Sequence, residues 1–381
     1  MPLTPHSARL DAPLALYVHW PFCVSKCPYC DFNSHVRDQV DQDAWRAALL
    51  AELAHEAVAL PGRRLGSIFF GGGTPSLMPP ATVAAIIDAA VGHWPANTDI
   101  EITLEANPSS VEVERFADIA AAGVGRVSLG VQALDDDALA FLGRAHDVRG
   151  GLAALDTAQA AFARVSFDLI YARPGQSLAA WEGELARAMA FGTEHLSLYQ
   201  LAIEPGTRFE TLVRNGTLTP ADPDHAAELF EATQAMTQAA GIPLYEISNH
   251  ARAGAKSRHN LAYWRYQDYA GIGPGAHGRR GGLATQRHRK PENWIAAVAR
   301  NGHGMVEEVP LTEHESATEA ILMGLRLAEG LRVTPPVAAL LDEAAIARLA
   351  ALGLLARTPS RLTVLPPGRL LLDAILADIV L

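Results

Sequence analysis

Along the chain, short apolar runs alternate with longer stretches of helical period. Residues 14–18 form an apolar run closed by His19-Trp20-Pro21 and predict a first strand. Residues 41–60 place Trp45, Leu49, Leu53, Ala57 and Leu60 at helical spacing and predict a crossover helix. A second strand is predicted at 67–70, ended by Gly71-Gly72-Gly73-Thr74-Pro75-Ser76. The alternation continues with strands at 100–104, 126–131, 165–170 and 195–201 and helices at 111–122, 135–141, 149–162 and 178–191. Such alternation means parallel βα units with right-handed crossovers. Six units predict an α/β fold, a partial (β/α)6 barrel open on one side, although an open doubly wound sheet fits the same pattern. In a barrel, chemistry collects at the C-terminal strand ends, where the glycine-rich and polar residues of this chain fall.

Beyond residue 201 the pattern changes. A helix at 222–240 and a strand at 244–248 precede a basic, aromatic, glycine-rich stretch at 252–290. Helices at 315–327 and 342–349 follow, then strands at 354–357 and 361–365 turning at Thr358-Pro359-Ser360. The expected organisation is a barrel over 1–210, an extension over 211–305 and a helical, winged-helix-like C-terminal domain over 306–381. DNA binding by that last domain is disfavoured, because Glu313, Glu315, Glu319, Asp342, Glu343, Asp373 and Asp378 offset its arginines.

Composition narrows the classes. A 49% hydrophobic chain has ample material for a core, and a net charge of −11 argues against nucleic-acid binding. Charge is uneven, however: residues 252–290 hold nine Lys or Arg against one acid, Asp268. That stretch is expected to face something anionic or to be well solvated. No run reaches the ~18 apolar residues of a membrane span, and residues 1–11 lack the apolar core of a signal peptide. Residues 370–381 are apolar but broken by Asp373 and Asp378, and predict a packed helix. Peripheral membrane contact is left open.

All three cysteines fall in Cys23-Val24-Ser25-Lys26-Cys27-Pro28-Tyr29-Cys30. Three thiolates in one loop can face one metal centre, and no fourth exists to pair with them. A zinc site would need His19 or His35 as an extra ligand, whereas zinc ligands usually come as two separated pairs. A [4Fe–4S] cluster held by three thiolates keeps one iron open, and S-adenosylmethionine (SAM) can chelate it through its amine and carboxylate. An exposed cluster needs a reducing compartment, and the cytoplasm is expected. SAM also needs a carboxylate for its amine, a cation for its carboxylate and polar groups for its hydroxyls. Glu105, Arg144, Gln132 and Asp168 supply these types, and Gly71–Gly73 would let backbone approach closely.

With these residues in hand, the chain resembles the oxygen-independent coproporphyrinogen III oxidase family of radical SAM proteins across nearly its whole length. The resemblance rests on Leu16-Tyr17-Val18-His19, the three cysteines, Gly71-Gly72-Gly73-Thr74-Pro75 and Asp168-Leu169-Ile170-Tyr171. It implies a radical SAM barrel whose [4Fe–4S] cluster sits on Cys23, Cys27 and Cys30. It also implies SAM contacts from Tyr17, Gly72, Gly73, Thr74, Glu105, Gln132, Arg144, Asp168 and Ala202, with Tyr17 a candidate catalytic residue. Ala172-Arg173 departs from the family's Gly-Leu and puts the shape of that loop in question.

Decarboxylating members of the family carry a fourth cysteine where this chain has Phe32. The heme-chaperone branch has Phe there and a His-Asn-x-x-Tyr-Trp motif, matched by His259-Asn260-Leu261-Ala262-Tyr263-Trp264. Imidazole can ligate heme iron, aromatics can stack on the macrocycle, and Arg258 and Arg265 could pair with propionates. His259 is therefore the candidate heme ligand, with His250 and His277 as alternatives, and a histidine capping a loop beside core aromatics is the plain reading. The branch implies a chaperone that binds heme and hands it to acceptor proteins. Neither the acceptors, the electron donor nor the oligomeric state can be named from the residues. The competing readings are the oxidase itself and a related radical SAM transferase.

Overall fold

The computed structural model describes residues 12–381, so residues 1–11 and the signal-peptide reading made on them lie outside it. Six parallel strands form the centre of the molecule: β1 (Leu14–Trp20), β2 (Leu65–Gly72), β3 (Ala96–Ala106), β4 (Arg126–Gln132), β5 (Arg164–Tyr171) and β6 (His195–Gln200). Helix α1 (Gln42–Ala59) crosses from β1 to β2, α2 (Pro80–His93) from β2 to β3, α3 (Val148–Ala161) from β4 to β5, and α4 (Leu178–Ala190) from β5 to β6. The expected βα units are present. Asp41, Asp147 and Ser177 cap α1, α3 and α4 by accepting from backbone N–H groups of the first turn.

Two elements differ from the pattern reading. The pattern reading lacks helix α2: Val83, Ile86, Ile87 and Ala90 are its buried apolar residues, but alanines on the other faces blur the stripe. The helix expected over 111–122 is two short pieces, Ser110–Val113 and Phe116–Ala121.

After β6 the chain adds strands to both edges of this sheet. β7 (Leu244–Glu246) and β8 (Asn249–Ala251) extend it beyond β6. β9 (Tyr269–Ile272), β10 (His277–Arg280), β11 (Leu283–Arg287) and β12 (Met305–Pro310) extend it beyond β1. Among the described residues the order is β12-β11-β10-β9-β1-β2-β3-β4-β5-β6-β8-β7, with β9 parallel to β1 and the outer pairs antiparallel. Residues 211–305 therefore complete the barrel sheet, and Ala270, Ile272, Trp294 and Val298 belong to the same apolar core as Leu16, Phe70 and Phe167. A second core, including Ile321, Leu362 and Ile375, lies among four α-helices and a three-stranded sheet within residues 313–379.

Of the nine cations in the basic stretch, Arg279, Arg280 and Arg287 are buried and the other six are exposed. Arg287 and its partners Glu52 and Glu56 on α1 are all fully buried, and Arg280 pairs with Glu56 at 3.2 Å and Glu308 at 2.9 Å. Arg279 pairs with Glu319, Arg258 with Asp99 at 2.8 Å, and Arg265 with Glu329 at 2.8 Å. The anions that these five arginines meet are the protein's own, on α1, β3, β12 and the C-terminal domain.

The Ala172-Arg173 departure also has a local account. Ala172 takes φ +57°, a left-handed conformation in which a Cβ costs about 1 kcal/mol. Arg173 is buried, donates to Ile170 O at 3.1 Å and pairs with Glu184 at 2.6 Å. Ala172→Gly is expected to raise stability by about 1 kcal/mol in denaturant unfolding, since it relieves the Cβ and leaves the Arg173 ion pair in place. A decrease would show that glycine's extra unfolded-state freedom outweighs the strain.

Candidate functional site

Beyond β1, the chain makes a short parallel pair, Phe22–Cys23 with His35–Val36, and the cysteine loop is the connection between them. The glycine run lets the end of β2 pass under this loop. A Cβ on Gly72, whose φ is +115°, would come 2.5 Å from the His19 ring, and one on Gly73 would come 2.7 Å from Phe22 O. Gly73 N–H donates to Trp20 O at 2.7 Å and Thr74 N–H to Phe22 O at 2.8 Å. The glycines are thus required by backbone packing, whatever else they contact.

Each sulfur has its own neighbour. Thr74 Oγ1 donates to Cys23 Sγ at 3.4 Å, Arg144 Nη1 donates to Cys27 Sγ at 3.4 Å, and Ser34 Oγ lies 3.8 Å from Cys30 Sγ. All three cysteines are half-buried and line one cavity of about 820 Å³ at the C-terminal end of the barrel. The same cavity is lined by Gly72, Gly73, Thr74, Glu105, Gln132, Arg144, Asp168 and Ala202. Phe32 stands at its wall, 62% exposed. Among the described residues no three His, Cys, Asp or Glu side chains converge on a point suited to one ion.

Electrostatics in the cavity favour a cation. Glu105 accepts from Gly72 N–H at 3.2 Å, and burial, with Asp168 nearby, pushes its carboxyl up to about 8. Asp168 accepts from Ser128 Oγ at 3.2 Å, and burial pushes it up to about 6. Gln132 ends β4 at φ +71°, and its buried Oε1 has no hydrogen-bond partner. Arg144 Nε is also buried without a partner. Raised carboxyls and orphaned polar atoms around one cavity mark a site built for a polar, partly cationic ligand.

Tyr17 and His259 do not line that cavity. Tyr17 lies against Gly71, and its hydroxyl is 3.0 Å from His19 Nδ1. His19 Nε2 is 2.9 Å from the Asn33 carbonyl, which must accept, so Nδ1 accepts from Tyr17. His259 is buried in the barrel interior beside Tyr17 and outside the cysteine cavity. Its ring stacks on Phe69, with Nδ1 3.0 Å from Ser67 Oγ and Nε2 2.9 Å from Tyr263 Oη. Burial pushes the imidazole down to about 3. Both ring nitrogens are engaged within the protein. His250 is likewise buried, with Nε2 3.2 Å from Gln234, whereas His277 is exposed at the start of β10.

Residues 17–188 match the Radical SAM superfamily and residues 311–371 the HemN C-terminal domain. The chain is 37% identical to the heme chaperone HemW of Mycobacterium tuberculosis, over 95% of this chain and 94% of that one. It belongs to the HemW family of radical SAM proteins. It is also 42% identical to HemW of Escherichia coli over 70% of each chain. Identity reaches 45% with the mitochondrial radical S-adenosyl methionine domain-containing protein 1 of Bos taurus, over 83% of this chain and 74% of that one. In fold it is similar to the coproporphyrinogen III oxidase HemN of Escherichia coli, at a TM-score of 0.80 and 24% identity, covering 98% of this chain and 92% of that one.

A radical SAM family implies SAM and a [4Fe–4S] cluster, and the residues present fit both. Three sulfurs face one cavity, His19 is committed to Tyr17 and Asn33 rather than to a metal, and orphaned polar atoms line the remaining wall. Residues that no motif singled out complete the site: Asn107, Ser128 and Tyr199. Asn107 had a signal, since Asn-Pro directly after a strand marks a turn at a barrel mouth. Ser128 and Tyr199 had none. No helix among the described residues is long and apolar enough to cross a membrane.

Proposed function

We propose that the protein binds heme and passes it to acceptor proteins, and that it keeps a cluster and SAM site beside that activity. The observation that carries this is the likeness, over nearly the whole chain, to proteins named heme chaperone HemW. Cys23, Cys27 and Cys30 would hold the cluster. Glu105 and Asp168 would take SAM's cationic and hydroxyl groups, Arg144 its carboxylate, and Gly72, Gly73, Thr74, Gln132 and Ala202 would shape the pocket. When bound, cluster and SAM together supply one-electron cleavage of a sulfur–carbon bond. A reducing compartment is implied, cytoplasmic or mitochondrial.

Protonation makes the SAM assignment testable. With its pKa near 8, Glu105 is mostly protonated at pH 7; the N–H groups of an iron-bound SAM amine beside it favour the carboxylate, so binding releases a proton from Glu105 besides the one the amine loses on chelation. The release from Glu105 vanishes below the ordinary carboxyl range, where Glu105 stays protonated, and above about pH 8, where it is already ionised. Calorimetry in two buffers of different ionisation heat should find that Glu105→Gln releases less near pH 7 than wild type, by up to about one proton. Equal release in that variant would move SAM's amine elsewhere.

For heme, the geometry favours a different ligand from the motif histidine. His259 is buried with both ring nitrogens engaged, His250 is buried, and Arg258 and Arg265 are already ion-paired. His277 is exposed, with Nε2 3.5 Å from Gln286 Nε2. We place the axial bond at His277. Heme titration should show a Soret shift in His277→Ala and little change in His259→Ala. The reverse result would require the packing around His259 to open. Anaerobic turnover of coproporphyrinogen III, with SAM consumed, would overturn the chaperone reading in favour of the oxidase.

A further inference from the structure

Two of the three cysteine sulfurs receive hydrogen bonds, from Thr74 and from Arg144, that converge on one side chain, Asn107. Asn107 follows β3 directly and precedes Pro108. Its backbone N–H donates at 2.7 Å to Glu112, a buried carboxylate that also accepts from Ser76 Oγ and, at 2.9 Å, from Ser109 Oγ. The position of the residue is therefore over-determined.

The polarity of the network follows from what each group can do. A guanidinium only donates, so the Asn107 atom facing Arg144 Nη2 is Oδ1. The Asn107 amide nitrogen is then turned to Thr74 Oγ1, 3.2 Å away, and donates to it. With its lone pair used, Thr74 has its one proton free for Cys23 Sγ at 3.4 Å. On the other arm, Arg144 is held by Asn107 Oδ1 and Gly130 O (2.9 Å), which aims Nη1 at Cys27 Sγ. One amide, with an acceptor on one side and a donor on the other, thus orients both sulfur donors.

We propose that Asn107 is a positioning residue for the metal centre: it directs hydrogen bonds from Thr74 and Arg144 onto Cys23 and Cys27 and so sets the reduction potential of the bound cluster. The proposal rests on the cysteine-held cluster of the reading above. Donors aimed at ligating sulfurs stabilise their negative charge and favour the reduced cluster. Asn107 touches no sulfur itself and acts only through its two neighbours.

The test reconstitutes wild type, Asn107→Ala, Thr74→Val and the double variant anaerobically without SAM, and measures each cluster's midpoint potential by titration followed by electron paramagnetic resonance. Both single variants should take up the full iron complement and shift to more negative potential. The double variant should shift by less than the sum, because part of the Asn107 effect passes through Thr74. A wild-type potential in Asn107→Ala with a full cluster overturns the proposal, as does strict additivity. Should Asn107→Ala fail to fold, the Thr74→Val arm decides, and an unshifted potential there overturns it too. Failure of wild type itself to hold a cluster would instead sink the underlying cluster reading, so the two failures are distinct.

Discussion

Replacing any one of Cys23, Cys27 or Cys30 by Ala abolishes iron–sulfur absorption in anaerobically reconstituted protein while leaving the fold intact. The chain has three cysteines and no spare thiolate. The neighbouring imidazoles are poor substitutes. His19 is bonded to Tyr17 and Asn33, and burial pushes it down to about 4. His35 Nε2 lies 3.2 Å from Asn33 Oδ1. Two thiolates cannot close a cluster that is already one ligand short of four. Stability should change by less than about 1 kcal/mol, because the cysteines are half-buried in a loop over the cavity rather than packed in the core. SAM affinity should fall with the cluster, since the open iron goes with it. Stoichiometric zinc in the wild-type protein, or a full cluster in any of the three variants, would contradict the assignment.

The second large effect is on stability and lies on the opposite side of β1 from the barrel's other strands. Arg287 on β11 is fully buried between Glu52 and Glu56, also fully buried, and donates to Thr285 Oγ1 at 2.7 Å. Glu52 in turn accepts from Gly273 N–H and Gly304 N–H at 2.7 Å and from Trp294 Nε1 at 2.9 Å. Through these bonds α1, β11 and the segments around Gly273 and Gly304 share one buried charge cluster. Arg287→Ala leaves buried Glu52 without its cation and buried Glu56 with Arg280 alone, at a cost of about 3–5 kcal/mol. Denaturant unfolding of the barrel core should show that loss. Arg287→Met combined with Glu56→Gln should recover part of it, since it removes the Glu56 charge while Glu52 keeps its N–H donors from Gly273, Trp294 and Gly304. A loss below about 1 kcal/mol in Arg287→Ala would mean that water reaches the carboxylates and the cluster is not dry.

Residues close in sequence carried the legible part of this protein. The three cysteines lie within one eight-residue loop, so their common environment needs only a single turn of chain. The alternation of short apolar runs with helical periods defines βα units, because side-chain direction repeats every two residues in a strand and about every 3.6 in a helix. The strand ends could be located from that pattern, and with them Gly72, Glu105 and Gln132. What only the tertiary structure decided concerns partners far apart along the chain. The positive charge of residues 252–290 reads as a surface for an anionic ligand until Arg287 meets Glu56, 231 residues away, inside a dry core. Likewise, periodicity cannot tell whether His259 faces solvent, heme or the barrel interior; Ser67, Phe69 and Tyr263 decide it by engaging the ring. Asn107 becomes part of the site only because β2, β3 and the loop bearing Arg144 bring Thr74 and a guanidinium to opposite sides of one amide. Local sequence encodes backbone periodicity and the chemistry a side chain can offer. Which group it spends that chemistry on depends on what long-range packing puts across from it, at distances where an ångström separates a bond from none.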